Sequence, residues 1–186
     1  MGTTNENQKS WSAPTPKRYF AYGLSLDGET TAKWKPADGA KFPKLSPGSE
    51  ASLDGHAIVF TGGSPRFKGR VATLSALAGE KVEGLLFELD ARQWAAVDAF
   101  ERSYGGQARA VKVRAGGQLL EATAFVFASS DAPEIDEGFL AALLRGLSSA
   151  KLPADYVNAR AAEALLVERV QRVGRDQGLL NRSERR

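Results

Sequence analysis

The chain has 186 residues, 42% of them hydrophobic and 25% charged, and a formal net charge of +3. That length suits one domain of ordinary size, and that balance lies in the globular range, with enough apolar residues for a real core and no eighteen-residue apolar run to span a membrane. Cysteine is absent and histidine occurs once, as His56, which excludes disulfides, thiolate catalysis, cysteine metal sites and histidine clusters.

Residues 1–16 are polar, include Pro14 and Pro16, and read as a disordered leader. They lack a basic start followed by an apolar stretch, so no secretory signal is expected there and the protein is expected in the cytoplasm. Arg18 to Tyr22 reads as a first strand ending at Gly23. Residues 27–50 carry scattered glycines and prolines with little apolar periodicity, which predicts a long loop or a few short turns. Strands are predicted over 51–61, centred on HAIVF, and over 69–75. The connection between them, TGGSPRFKG, lacks the spacing and the Lys-Ser/Thr end of a phosphate loop. Lying in a strand, His56 reads as a structural or surface histidine rather than the base of a Ser-His-Asp triad.

KVEGLLFEL, residues 81–89, predicts another strand, and its interior Gly84 marks a bulge or a close backbone approach. Asp90 is a good N-cap for a helix with Trp94, Val97 and Phe100 at helical spacing, ended by Gly105-Gly106. ARAVKVRA and GGQLLEATAFVFAS predict a hairpin turning at Gly116-Gly117. A helix over 134–147 presents Ile135, Phe139, Leu143 and Leu147 on one face. Pro153 opens a last helix from Ala154 to about Gly174, with Leu165, Leu166 and Val170 on its apolar side. About six strands with one central helix and terminal helices argue for an α+β fold in a single domain over 17–174, followed by a basic tail over 175–186.

Positive charge gathers at the ends, in Arg169, Arg172, Arg175, Arg182, Arg185 and Arg186 and in Lys9, Lys17 and Arg18. Such a tail either contacts nucleic acid or an acidic partner, or is a solvated helix end. No aromatic residues interleave with the arginines, so the solvated reading is preferred and no nucleic-acid or membrane partner is expected.

With histidine and cysteine scarce, acid–base chemistry falls to carboxylates, tyrosines or lysines. In VDAFERSYGG, Asp98 and Glu101 share a helix face. Two readings stay open for them: a reactive acid/base with an orienting partner, or a pair of solvated helix charges. At the end of the first strand, main-chain N–H groups beside Gly23 can form an anion-binding concavity, or the glycine is a plain strand exit.

The order of these features resembles the gamma-glutamylcyclotransferase-like family, which includes the gamma-glutamylamine cyclotransferases. Tyr22-Gly23-Leu24-Ser25-Leu26 stands where that family has Tyr-Gly-Ser-Asn or Tyr-Gly-Thr-Leu. Val97-Asp98-Ala99-Phe100-Glu101 is similar to its Leu-Asp-x-x-Glu motif, which carries the catalytic glutamate. GRVATLSALAGEKVEGLLFEL and KLPADY are similar to further family segments, and the resemblance spans roughly residues 18–160.

The resemblance implies a small mixed, mostly antiparallel β-barrel flanked by helices. It implies Glu101 as general acid/base, and Tyr22, Gly23, Leu24, Ser25, Leu26 and Tyr156 as substrate contacts. The implied reaction releases 5-oxoproline from a γ-glutamyl amine or peptide by attack of the substrate's own amine. It needs neither metal nor thiol nor histidine, so no cofactor is expected and the implied partner is a small γ-glutamyl molecule. Leu24 and Ser25, Arg102, and Ala108 in place of a pocket tyrosine depart from the family pattern, with Arg109 a candidate to fill the space. These departures leave two alternatives, an inactive small-molecule binding module or a related acyl-processing enzyme.

Overall fold

The computed structural model describes residues 16–36, 39, 41–45 and 47–176. Most of the expected leader and most of the expected basic tail therefore lie outside the described residues. Five strands, β1 Lys17–Ala21, β2 Ser49–Gly62, β3 Val71–Leu89, β4 Gln107–Ala115 and β5 Gln118–Val126, close into a barrel in the order β1-β3-β2-β4-β5. Every pairing is antiparallel except β1 with β5, which is parallel. Helices α1 Gly28–Lys33, α2 Ala91–Ser103, α3 Glu137–Ser149 and α4 Ala154–Asp176 flank it. The fold is the mixed, mostly antiparallel α+β barrel that the resemblance implied.

Strand register sorts the side chains. Phe20 lies opposite Leu86, Ala51 opposite Gly84, and Leu53 opposite Val82. With Val113, Ala122 and Ala124, these form the larger buried cluster, into which α3 brings Phe139, Leu143 and Leu147. The alternate residues of β1, Tyr19 and Ala21, join Leu89, Val97 and Phe125 in a second cluster under α2. β1 is therefore buried on both faces, which explains its unbroken apolar run. Gly84 is required by close approach: a Cβ there would lie 2.4 Å from the Ala21 carbonyl oxygen and 2.7 Å from the Phe20 ring.

The predicted α2 and the Gly116-Gly117 hairpin form as expected. Asp90 caps α2 in a full capping box, accepting from the Gln93 amide at 2.8 Å and donating its own amide to Gln93 Oε1 at 3.1 Å. Four features differ from the sequence reading. The segments predicted as two strands over 69–75 and 81–89 are one strand, β3, because residues 77–80 form a bulge opposite Gly55 within it, with Gly79 at φ +86°. The 27–50 loop contains α1, started by the Asp27 cap.

On α4, Leu165, Leu166 and Val170 are exposed. The helix instead buries Ala164 and Gln171, and the Gln171 amide bonds both main-chain polar groups of Ile135 at 2.8 and 3.2 Å. Hydrogen bonding, which a hydrophobicity pattern does not register, sets that face. α4 also continues past Gly174, and Arg175, counted on sequence with the tail, pairs with Glu134 at 2.8 Å and Glu137 at 2.9 Å. Among the described residues no helix is long and apolar enough to cross a membrane.

Replacing Gly84 with valine is expected to displace Phe20 and lower stability by about 1–3 kcal/mol. Urea unfolding should show a lower midpoint at unchanged slope; an unchanged midpoint would remove the close-approach argument.

Candidate active site

Glu101 occupies the last turn of α2, on the face turned toward β1 and β5. Its backbone position is set by the end of the helix. The Gly106 amide donates to the Glu101 carbonyl and the Gly105 amide to the Arg102 carbonyl, each at 2.9 Å. Gly105 has φ +92°. These two bonds with a left-handed glycine form a Schellman cap, in which the residue just inside the helix end is held firmly. Phe100 is wedged from outside by Trp34 and Phe42 of the long loop, at ring separations of 5.7 and 4.8 Å. Arg66 from the TGGSPRFKG connection reaches Ser103 O at 3.3 Å and lies over the Tyr104 ring.

The Glu101 side chain is only 5% exposed. Tyr19 donates its hydroxyl to Glu101 Oε1. The same hydroxyl lies 2.5 Å from Ser25 Oγ. Burial pushes the Glu101 carboxyl up to about 7, against the hydrogen bonds of Tyr19 and Ser25, which lower it. Burial first, and then the Glu101 charge, raise both Tyr19 and Tyr22 well above the ordinary phenol. Tyr22 donates to the Phe125 carbonyl and so ties the end of β1 to β5. The two sequence readings of Asp98 and Glu101 thus divide between the residues. Glu101 is buried, while Asp98 pairs with Arg102 at 2.7 Å on the helix surface.

Gly23 leads from β1 into a 3-10 turn, Leu24–Leu26, beside Glu101. The Leu26 amide donates to Gly23 O and the Asp27 amide to Leu24 O, both at 3.0 Å. The Leu26 N–H, expected to face a substrate, is therefore taken up by the turn itself. The first amides of such a turn, here Leu24 and Ser25, have no partner within it.

Asp27, 3% exposed, anchors the far end of this turn. It accepts from the Thr30 amide at 3.2 Å and from Arg145 of α3 at 2.7 Å. Burial works against its ionised form, but the hydrogen bonds of Arg145 and Thr30 outweigh that and hold its carboxyl below the usual range.

Tyr19, Tyr22, Gly23, Leu24, Glu101 and Phe139 are among the residues around a small cavity of about 10 Å³, room for one water. Leu24 is buried in its wall. A second space, a groove of about 310 Å³, lies beyond Ser25 and Leu26. The structure thus gathers Tyr22, Gly23, Leu24 and Ser25 around Glu101.

Tyr156 is not part of the cavity wall. It sits in the first turn of α4 beneath Arg160, with Glu83 as an electrostatic neighbour. Ala108 and Arg109 are exposed, because β4 meets β2 only through Arg114 and Ala115 and its first residues overhang that seam. Arg109 therefore does not fill the cavity.

Three residues of this arrangement escaped the sequence reading. Tyr19 had a signal, the four-residue apolar run to which it belongs. Asp27 had one in its position before Gly28 and Glu29, a cap pattern. Arg145, on an amphipathic helix 118 residues from Asp27, had none.

The sequence profile of the family described as Gamma-glutamyl cyclotransferase, AIG2-like matches residues 19–140, which include Glu101 and the Tyr22–Leu26 segment but not Tyr156. No curated protein matches the chain by sequence. Among solved structures, one named Gamma-glutamyl cyclotransferase is similar at TM-score 0.62 and 19% identity, covering 78% of this chain and 86% of the other. An uncharacterized protein from Homo sapiens is similar at TM-score 0.64 and 19% identity, covering 80% and 88%. YkqA from Bacillus subtilis is similar at TM-score 0.62 and 21% identity, and this chain covers 56% of its length. At these identities the likeness is one of fold.

A carboxyl raised from its ordinary value of 4.5 to about 7 in the folded state holds its proton where the unfolded chain has lost it. Stability therefore falls as pH rises between those values. Glu101→Gln removes this penalty. The variant is expected to melt above the parent at pH 8 and close to it at pH 5, by calorimetry at both pH values. A gap independent of pH would contradict the raised carboxyl.

Proposed function

The chain belongs to the Gamma-glutamyl cyclotransferase, AIG2-like family, and on that premise we propose that it releases 5-oxoproline from a γ-glutamyl amine or peptide, with Glu101 as general acid/base. The observation that carries this reading is the buried Glu101 carboxyl, held by Tyr19 beside the Gly23–Ser25 turn and shifted to about 7.

The substrate's α-amine attacks its own γ-carbonyl carbon. A bond forms between the α-nitrogen and that carbon, and the bond from the carbon to the leaving nitrogen breaks. Glu101 takes the proton released by the attacking amine and delivers it to the leaving nitrogen, so the carboxylate is regenerated. A group with a pKa near the working pH is suited to both transfers, and positioned proton transfer contributes about 10²–10⁴-fold. The nucleophile is already part of the substrate, so holding it folded recovers part of the roughly 7–11 kcal/mol attainable from orientation. The Leu24 and Ser25 amides are the donors for the substrate carboxylate or the developing oxyanion. Tyr19 acts through Glu101 as a positioning residue.

Leu24, which departs from the family motif and is buried in the cavity wall beside Glu101, favours a second reading, a family member that binds a small molecule without turning it over. A panel of γ-glutamyl amines and dipeptides assayed for 5-oxoproline separates the two, since release by the folded protein excludes the binding module.

Glu101→Gln is expected to keep the fold and lose about 10²-fold or more of this activity; wild-type release by the purified variant would sink the assignment. For the parent, kcat/KM should rise through about pH 7 as Glu101 ionises. Because the Tyr19 hydrogen bond lowers the carboxyl, Tyr19→Phe should move that limb to higher pH. A merely structural role for Tyr19 would reduce activity without moving the limb.

A further inference from the structure

The groove beyond Ser25 has a composition that bears on which amine leaves. Its walls are Phe42 and Leu45 of the long loop and Leu85 and Phe87 of β3, and its polar side chains are the hydroxyls of Ser25, Thr31 and Ser149. Among the described residues lining it, none carries a charge. Its volume of about 310 Å³ lies in the range of small-ligand sites.

The groove adjoins the Glu101 cluster through Ser25. Ser25 belongs to both, its hydroxyl 2.5 Å from the Tyr19 hydroxyl that donates to Glu101. Phe87 stacks on Tyr19 at 6.4 Å between ring centres. Phe42, the opposite wall, packs on Phe100, the residue before Glu101. Both walls are thus fastened to the elements that hold the carboxylate.

We propose that the leaving group is an amine with an uncharged, apolar substituent, an alkyl- or arylalkylamine whose hydrocarbon part lies in this groove. The proposal rests on the cyclotransferase reading and narrows its substrate. Glu101 protonates the leaving nitrogen, so the substituent on that nitrogen extends away from the carboxylate, past Ser25, into the groove. A carboxylate or ammonium on that substituent would give up part of its water in the groove and meet no opposite charge among the described lining residues, which is unfavourable. A methylene chain there gains from leaving water.

The test is kcat/KM for 5-oxoproline release from γ-glutamyl methylamide, ethylamide, butylamide, hexylamide and benzylamide, compared with γ-glutamylglycine and γ-glutamyl-ε-lysine. The expected result is a rise of about fourfold per methylene until the groove fills, with the two charged substrates at least about 10²-fold behind the hexylamide. In Leu45→Asp the ratio of hexylamide to methylamide should fall by about tenfold or more. Release that is flat in chain length, or fastest with a charged leaving group, overturns the groove assignment and leaves the cyclisation reading standing. No release from any substrate overturns the cyclisation reading. Titration with N-hexylacetamide then reads the groove alone: binding that Leu45→Asp abolishes supports an apolar occupant, and no binding overturns it.

Discussion

Taking a carboxylate out of water costs several kcal/mol unless its surroundings replace the hydrogen bonds it gives up, and the fold around Glu101 is arranged by that demand. The Tyr19 hydroxyl meets one oxygen, and Ser25 stands behind that hydroxyl. The compensation is incomplete, which is why the carboxyl rests near 7 rather than in the ordinary range. A fully compensated glutamate would be a poor base. An uncompensated one would stay protonated. The barrel, the helix cap and the aromatic wedge hold it between those limits.

The surrounding parts are braced from several directions. The Schellman cap and the edge-to-face Trp34–Phe100–Phe42 contacts fix the end of α2. The Tyr22 bond to Phe125 fixes the end of β1, and the Asp27–Arg145 pair fixes the turn that follows it. Asp136 performs a similar service at the start of α3, capping Phe139 at 3.0 Å while accepting from Lys68 N at 3.0 Å. The glycine-rich connection that is no phosphate loop thus serves as a clamp between α2 and α3.

Much of this was legible before the structure. The Asp90 cap, the α2 stripe of Val97 and Phe100, the Gly105-Gly106 stop and the Gly116-Gly117 hairpin are governed by neighbours a few residues away, and they form as read. Gly84 also kept its meaning, since a strand glycine signals close approach. The failures have different physics. β3 reads as two strands because a bulge opposite Gly55 has the composition of a turn. The buried face of α4 reads as leucine-rich because hydrophobicity does not register the hydrogen bonds of Gln171. Arg109 lies away from the cavity because strand overhang, not local sequence, aims it.

The sequence by itself determined most of the helices and strands with their caps and turns, and that any acid–base chemistry must run through carboxylates, tyrosines or lysines. It also carried the motifs that mark the family. Only the tertiary structure decided that Glu101 meets Tyr19 across 82 residues, that Arg145 anchors the turn beside it, and that an uncharged groove opens behind Ser25. Caps and periodicity act over one or two helical turns and leave their mark in adjacent residues. Barrel closure joins groups far apart in the chain, and the burial that shifts a carboxyl belongs to the whole assembled environment.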